Sequence, residues 1–173
     1  GETEAIGAAV KNLIEEKGLR ESDIAIVLFN KYVKFATPGW KNRSYYLEKG
    51  IQQYFERQGW EPPSFLYAKK SEGTTYGSRR GVTVVSIEGA LGLDFRGVVL
   101  AGLRPLGMHE KTRVLSEFEK ATSDELPEKL EAFKKNINLI YTACTRAKDE
   151  LTVILSAPKG ESIYMDLLRR SMG

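Results

Sequence analysis

The sequence predicts an α/β fold: a parallel sheet with helices on both faces. Amphipathic helical stripes alternate along the chain with short, continuous apolar runs. That order is the pattern of strands joined by crossover helices. The apolar runs are not interrupted by polar residues, so the strands are expected to be covered on both sides. In such sheets ligands collect at the carboxyl ends of the strands. The segments expected there are the loop after residues 82–87 and the end of the long helix that precedes residues 151–155.

Each element has its own signal. Ile6, Ala9, Val10, Leu13 and Ile14 recur at helical spacing and form one apolar stripe, with Gly18 as the stop. Residues 23–29 form a strand-like run, and Pro38-Gly39 marks a turn. Leu47, Ile51, Tyr54 and Phe55 make a second helical stripe that closes near Gly59. Pro62-Pro63 precedes a predicted strand over 64–68, and the glycine-bearing polar stretch 69–81 reads as a loop. Residues 82–87 and 97–101 are two more buried-type strands. Residues 108–121 are expected to be helical. Pro127 fits the first turn of a long helix whose stripe is Leu130, Phe133, Ile137, Ile140, Tyr141 and Cys144. A strand over 151–155 and a last helix capped by Ser162 and running through Leu168 complete the chain.

Composition narrows the function. The chain has 173 residues, 42% hydrophobic and 28% charged, which suits one globular domain spanning residues 1–173. A net charge of +3 permits contact with nucleic acid without requiring it. One cysteine, Cys144, forbids an internal disulfide, and with a single His109 a zinc site is not expected. No stretch approaches the roughly 20 apolar residues of a membrane span, and no signal peptide is visible, so a cytoplasmic protein without membrane contact is expected. The abrupt start at Gly1 and the abrupt end at Gly173 read as the ends of a segment from a longer chain.

Two runs carry a resemblance. Residues 139–151 read Leu-Ile-Tyr-Thr-Ala-Cys-Thr-Arg-Ala-Lys-Asp-Glu-Leu. They resemble motif VI of UvrD/Rep-type superfamily 1 helicases, whose core is Leu-x-Tyr-Val-Ala-x-Thr-Arg-Ala followed by a strand. Residues 82–95, Val-Thr-Val-Val-Ser-Ile-Glu-Gly-Ala-Leu-Gly-Leu-Asp-Phe, resemble motif V, which commonly reads Val-Thr-x-x-Thr-x-His-x-x-Lys-Gly-Leu-Glu-Phe. The opening helix and the strand at 23–28 are similar to the family's entry into the same domain. The resemblance implies a RecA-like fold, that of the second motor domain of an ATP-dependent DNA helicase.

The same resemblance assigns roles. Arg146 would stabilise the charge that spreads over the γ-phosphate oxygens in a loose phosphoryl-transfer transition state. Thr145 and Tyr141 would hold the helix end in place. Asp94, at the family's Glu position, would accept hydrogen bonds from the nucleotide sugar, and Gly92 would allow a tight backbone beside it. Ser86 and Thr83 would face the nucleic acid. Lys69, Lys70, Arg79 and Arg80 flank a loop with one aromatic, Tyr76, and could grip a single strand.

The chain departs from the family at three places. Glu88 stands at the motif V His position, Leu91 at its Lys position, and Phe29-Asn30 where motif IV has Tyr-Arg. An acid replaces a partner of phosphate and a base is lost. Only about fifty residues separate Asn30 from Val82, too few for the accessory domain of UvrD and Rep, so a compact variant is implied. No P-loop is present. ATP and Mg²⁺ would therefore be held by an N-terminal RecA-like domain of the parent, and this chain alone is expected to be inactive. A rival expectation is a degenerate helicase-like module that binds nucleotide or a partner without translocating.

Overall fold

The structure is a computed structural model that describes residues 1–29, 43–66, 81–103, 110–154 and 163–172. The elements follow the order α1 (Glu2–Glu15), a 3-10 turn (Glu21–Asp23), β1 (Ile24–Leu28), α2 (Arg43–Gln58), β2 (Ser64–Leu66), β3 (Thr83–Ser86), β4 (Phe95–Ala101), α3 (Glu110–Lys120), α4 (Leu126–Cys144), β5 (Ala147–Val153) and α5 (Ile163–Met172). The five strands form one sheet in the order β2-β3-β1-β4-β5, and every neighbouring pair is parallel. The predicted α/β class is what the chain adopts, a parallel sheet with helices on both faces.

The side chains of β1 sort the core into two layers. Ala25 and Val27 point to one face, where they join Val85, Val98 and Leu100 and are covered by Ile140 and Ala143 of α4 and Tyr164 of α5. Ile24, Ile26 and Leu28 point to the other face. There they meet Val84 and Val99 beneath Ile6, Val10 and Leu13 of α1 and Leu47, Ile51 and Phe55 of α2. The period of two along a strand produces this split, and the uninterrupted apolar run reflects the double cover. Gly97 of β4 lies where α1 returns to the sheet. A β-carbon there would stand 2.7 Å from Leu19 Cδ1 and 3.2 Å from Leu13 Cδ1, so any larger residue would make those leucine side chains shift.

Four aromatic rings tie the α4 side together. Phe29, just past β1, meets Tyr164 edge-on at 5.6 Å. Tyr164 stacks on Phe133 of α4 at 5.6 Å, and Phe133 meets Phe118 of α3 edge-on at 5.8 Å. Such pairs add about 0.5–1.5 kcal/mol each beyond area burial. Because Phe133 lies near the carboxyl end of β1 while Cys144 leads directly into β5, α4 runs antiparallel to the strands. Its start is held by a reciprocal capping box. Glu125 N–H donates to Thr122 Oγ1 at 3.3 Å, and Thr122 N–H donates to Glu125 Oε2 at 3.1 Å.

Some boundaries differ from the sequence expectation. β5 begins at Ala147 and not at Leu151, and it is half exposed instead of buried. Its first half, Lys148-Asp149-Glu150, carries no apolar signal, yet it pairs with β4 and carries ion pairs along the edge. Arg96 Nε donates to Asp149 Oδ2 at 2.7 Å and Arg96 Nη1 lies 4.0 Å from Asp23, while Lys17 reaches Glu150 at 3.7 Å. These pairs are exposed and screened by solvent; the backbone ladder places the strand. β4 begins two residues early, at Phe95, and α5 continues past Leu168 to Met172. Pro38-Gly39, residues 67–68, Leu155 and Ser162 lie outside the described residues.

Sequence reasoning gave no hint of Glu2. It is 5% exposed, and its Oε1 accepts the Gly102 N–H at 3.0 Å, pinning the start of α1 to the end of β4.

Ile26 is fully buried in the central strand. Ile26→Ala should lower the unfolding free energy by about 2–5 kcal/mol. The measurement is the urea midpoint at unchanged slope, and a midpoint that does not move would disprove the central placement of β1.

Candidate functional site

The two sequence runs that resemble helicase motifs meet at one edge of the sheet. Phe95 N–H donates to the Arg146 carbonyl at 2.9 Å, so β4 and β5 start side by side. Asp94 and Arg146, one residue before each strand, are thereby neighbours although 52 positions apart in sequence. Arg146 Nη1 lies 3.9 Å from Asp94 Oδ1. The rest of the guanidinium is held by the end of α4. Nε donates to the Thr142 carbonyl at 3.3 Å, and Nη2 donates to Thr145 Oγ1 at 3.5 Å. Thr145 Oγ1 in turn donates to the Thr142 carbonyl at 2.8 Å. The Arg146 side chain is 24% exposed and that of Asp94 51%.

This geometry corrects one expectation. The end of the long helix does not lie at the carboxyl ends of the strands. A helix that passes straight into a parallel strand must deliver the chain to that strand's amino end, and Arg146 does so for β5. Asp94 does the same for β4. The pair therefore occupies the amino edge, away from the edge where ligands of parallel sheets usually sit.

The connection from β3 to β4 starts at the opposite edge and returns along one face. It is wound into turns, with Ala90 N–H donating to the Ser86 carbonyl at 2.9 Å and Leu93 N–H to the Ala90 carbonyl at 3.1 Å. Ile87 and Ala90 are buried in the α4-side core as it passes. Gly92 turns the chain toward Asp94 with φ +79°, a left-handed backbone that strains any residue with a β-carbon.

The other expected site residues separate into those in place and those elsewhere. Thr145 Oγ1 lies at the end of α4, bonded to the Thr142 carbonyl. The Tyr141 side chain is 70% exposed, standing out from α4 one turn before Thr145. Thr83 and Ser86 are 5% and 3% exposed within β3, between β1 and β2. Ser86 Oγ accepts the Gly89 N–H at 3.1 Å and so shapes the turn after its own strand. Glu88 and Leu91 lie on the surface of that turn, Leu91 at 48% exposure. Lys69, Lys70, Arg79 and Arg80 lie outside the described residues, as do Asn30, Lys31 and His109.

The contribution of Thr142 was not visible in the sequence, because it acts through its backbone carbonyl, which any residue would supply. Burial pushes the Cys144 thiol above its ordinary range, so its thiolate is scarce at neutral pH and the group is a packing element. Among the described residues, no group of three or more His, Cys, Asp and Glu side chains could hold a metal ion, and no helix is long and apolar enough to cross a membrane.

No family model matches the chain, and no curated protein matches it. Among solved structures it is similar to the C-terminal domain of a possible DNA helicase from Lactobacillus plantarum WCFS1. The identity is 18%, the TM-score is 0.46, and the match covers 92% of this chain and 70% of that one.

Ser86→Ala removes the acceptor for the Gly89 N–H and should cost about 1–2 kcal/mol of stability, read by urea unfolding. Affinity for labelled single-stranded DNA, read by anisotropy, should not change. Unaltered stability with weakened DNA binding would return Ser86 to the nucleic-acid role.

Proposed function

We propose that this chain is the second motor domain of an ATP-dependent DNA translocase or helicase of the UvrD/Rep type, a superfamily 1 enzyme. The observation that carries the reading is the Arg146–Asp94 pair. Two separate runs resemble motifs V and VI, and the residues that bear the chemistry in each are neighbours in space. Chance similarity in either run alone would not require this.

In the proposed mechanism a neighbouring RecA-like domain holds ATP and Mg²⁺, since this chain has no P-loop lysine or backbone cradle. The Arg146 guanidinium is planar and permanently charged, and it is already oriented by Thr142 and Thr145. On closure it would exchange Asp94 for phosphate oxygens. Asp94, released, would accept hydrogen bonds from the sugar hydroxyls. This demands that the neighbouring domain present its triphosphate at the amino edge of β4 and β5. Magnesium and the triphosphate supply the reaction; this chain's part is to place positive charge and exclude water. DNA would lie across the two domains and drive their opening and closing.

A second reading is a degenerate relative that binds a nucleotide or a partner without translocating. The observations behind it are the amino-edge placement of Arg146, the burial of Thr83 and Ser86, and the exposed Glu88 and Leu91 at positions where the family carries His and Lys.

The test joins this chain to its P-loop domain and measures DNA-stimulated ATP turnover. Arg146→Ala should reduce turnover by on the order of 10³-fold or more, and Arg146→Lys should not restore it, because a point charge lacks the fork. Undiminished turnover in the Ala variant would exclude the motor role. Strong basal turnover with no stimulation by DNA would favour the second reading.

A further inference from the structure

Each of the three nitrogens of the Arg146 guanidinium faces an oxygen of this chain. Nε donates to the Thr142 carbonyl at 3.3 Å, Nη2 donates to Thr145 Oγ1 at 3.5 Å, and Nη1 lies 3.9 Å from Asp94 Oδ1. The first two partners stand on the end of α4, in the same segment as Arg146 itself. Asp94 comes from a distant segment, brought close because the Phe95 N–H bond to the Arg146 carbonyl sets β4 beside β5. It is also the weakest of the three partners. Its side chain is 51% exposed, and the contact is an ion pair near the limit of range. Nη1 is therefore the edge of the fork that is freed first.

We infer that Asp94 gates Arg146, and that the sugar of a nucleoside triphosphate opens the gate. The inference rests on the proposed function, in which Arg146 serves the γ-phosphate and Asp94 the sugar. In such a ligand the α- and β-phosphates lie between those two ends. Two groups in contact with one another cannot hold both ends at once. The ion pair and the bound arrangement thus exclude each other, and the site has two states. In the resting state Asp94 holds Nη1. In the engaged state Nη1 meets phosphate, and the sugar hydroxyls donate to the carboxylate it has left. A ligand shifts such an equilibrium only by its differential affinity for the two states. The hydroxyls supply that difference, because they bind an Asp94 that the arginine has released. The coupling is reciprocal, so an arginine engaged on phosphate strengthens the hold on the sugar. Its size is bounded by the contact it breaks. One partly exposed ion pair corresponds to a ratio of about two to five, so the gate tunes turnover and does not switch it off.

The test compares ATP with 2′,3′-dideoxy-ATP, which lacks both sugar hydroxyls, in the parent enzyme that joins this chain to its P-loop domain. Single-turnover hydrolysis is measured at saturating nucleotide and DNA, so that the rate reports the engaged site and not affinity. The dideoxy nucleotide should react about two- to fivefold more slowly. In Asp94→Asn the ratio should fall to one. The amide still accepts a hydrogen bond from a sugar but makes no ion pair with Arg146. A residue that merely positioned the sugar would keep the ratio in that variant. The change is exposed and nearly isosteric, and an unaltered circular dichroism spectrum should report an intact fold. Equal rates for the two nucleotides in the unaltered enzyme, or a ratio that survives in Asp94→Asn, would overturn the gate, while a large loss in Arg146→Ala would still uphold the motor reading. Full turnover in Arg146→Ala would remove both.

Discussion

The constraint on which the structure depends is that β1 has no free side. Its edges are taken by β3 and β4 and its faces by α1 and α2 on one side and the α4 layer on the other. A strand so enclosed favours apolar residues, and Ile24 to Leu28 are apolar throughout. Burying each such side chain contributes about 1.5–3 kcal/mol, and the parallel register then sets every other position. Ala25 opposite Thr83 and Val98 places the ends of β3 and β4, and β4 in turn places β5. The adjacency of Asp94 and Arg146 is a result of that register. Neither residue draws the other into place, because a partly exposed pair at 3.9 Å is too weak to order two strands.

Much of this was legible in the sequence, and the reason is periodicity. The stripe Ile6-Val10-Leu13 and the run Ile24–Leu28 state both the element type and the extent of cover, and the helices and strands stand where those signals put them. The failures have physical causes too. The first half of β5 is charged because it lies on a sheet edge, so hydrophobicity marked only its second half. Thr83 and Ser86 looked like residues for a polar ligand, but small hydroxyl residues also fit a covered strand when they have an internal partner, as Ser86 has in Gly89. Tyr141 occupies a stripe position on α4 and is nevertheless exposed, because the stripe is wider than the sheet beneath it. For the site, the sequence held the residues Arg146 and Asp94 but not the edge on which they stand. Edge is a property of connectivity, and it follows only once the helix is seen to enter the strand without a loop.

The two ends of the sheet consequently differ in chemistry. At the amino edge a guanidinium is partly screened by its own carboxylate and by helix-end oxygens. Toward the carboxyl edge, aromatic rings and glutamates face a cavity. α4 spans both, with its start beside the cavity and its end, whose carbonyls are bonded by Thr145 and Arg146, at the amino edge. The two ends of one helix thus carry distinct chemistry.

The strand order also governs how the chain is able to assemble. The nearest neighbour of β1 in the sheet, Thr83 opposite Ala25, follows it by 58 residues, and the β4 side later still. As the polypeptide leaves the ribosome, five apolar residues that will end up at the centre must wait without hydrogen-bonding partners until residues beyond Ser86 emerge. Pairing over such separation is slow because loop entropy is lost before contacts compensate. During that interval the growing chain is vulnerable to association with other nascent chains, and α1 and α2, which flank β1 in sequence, can already cover one of its faces.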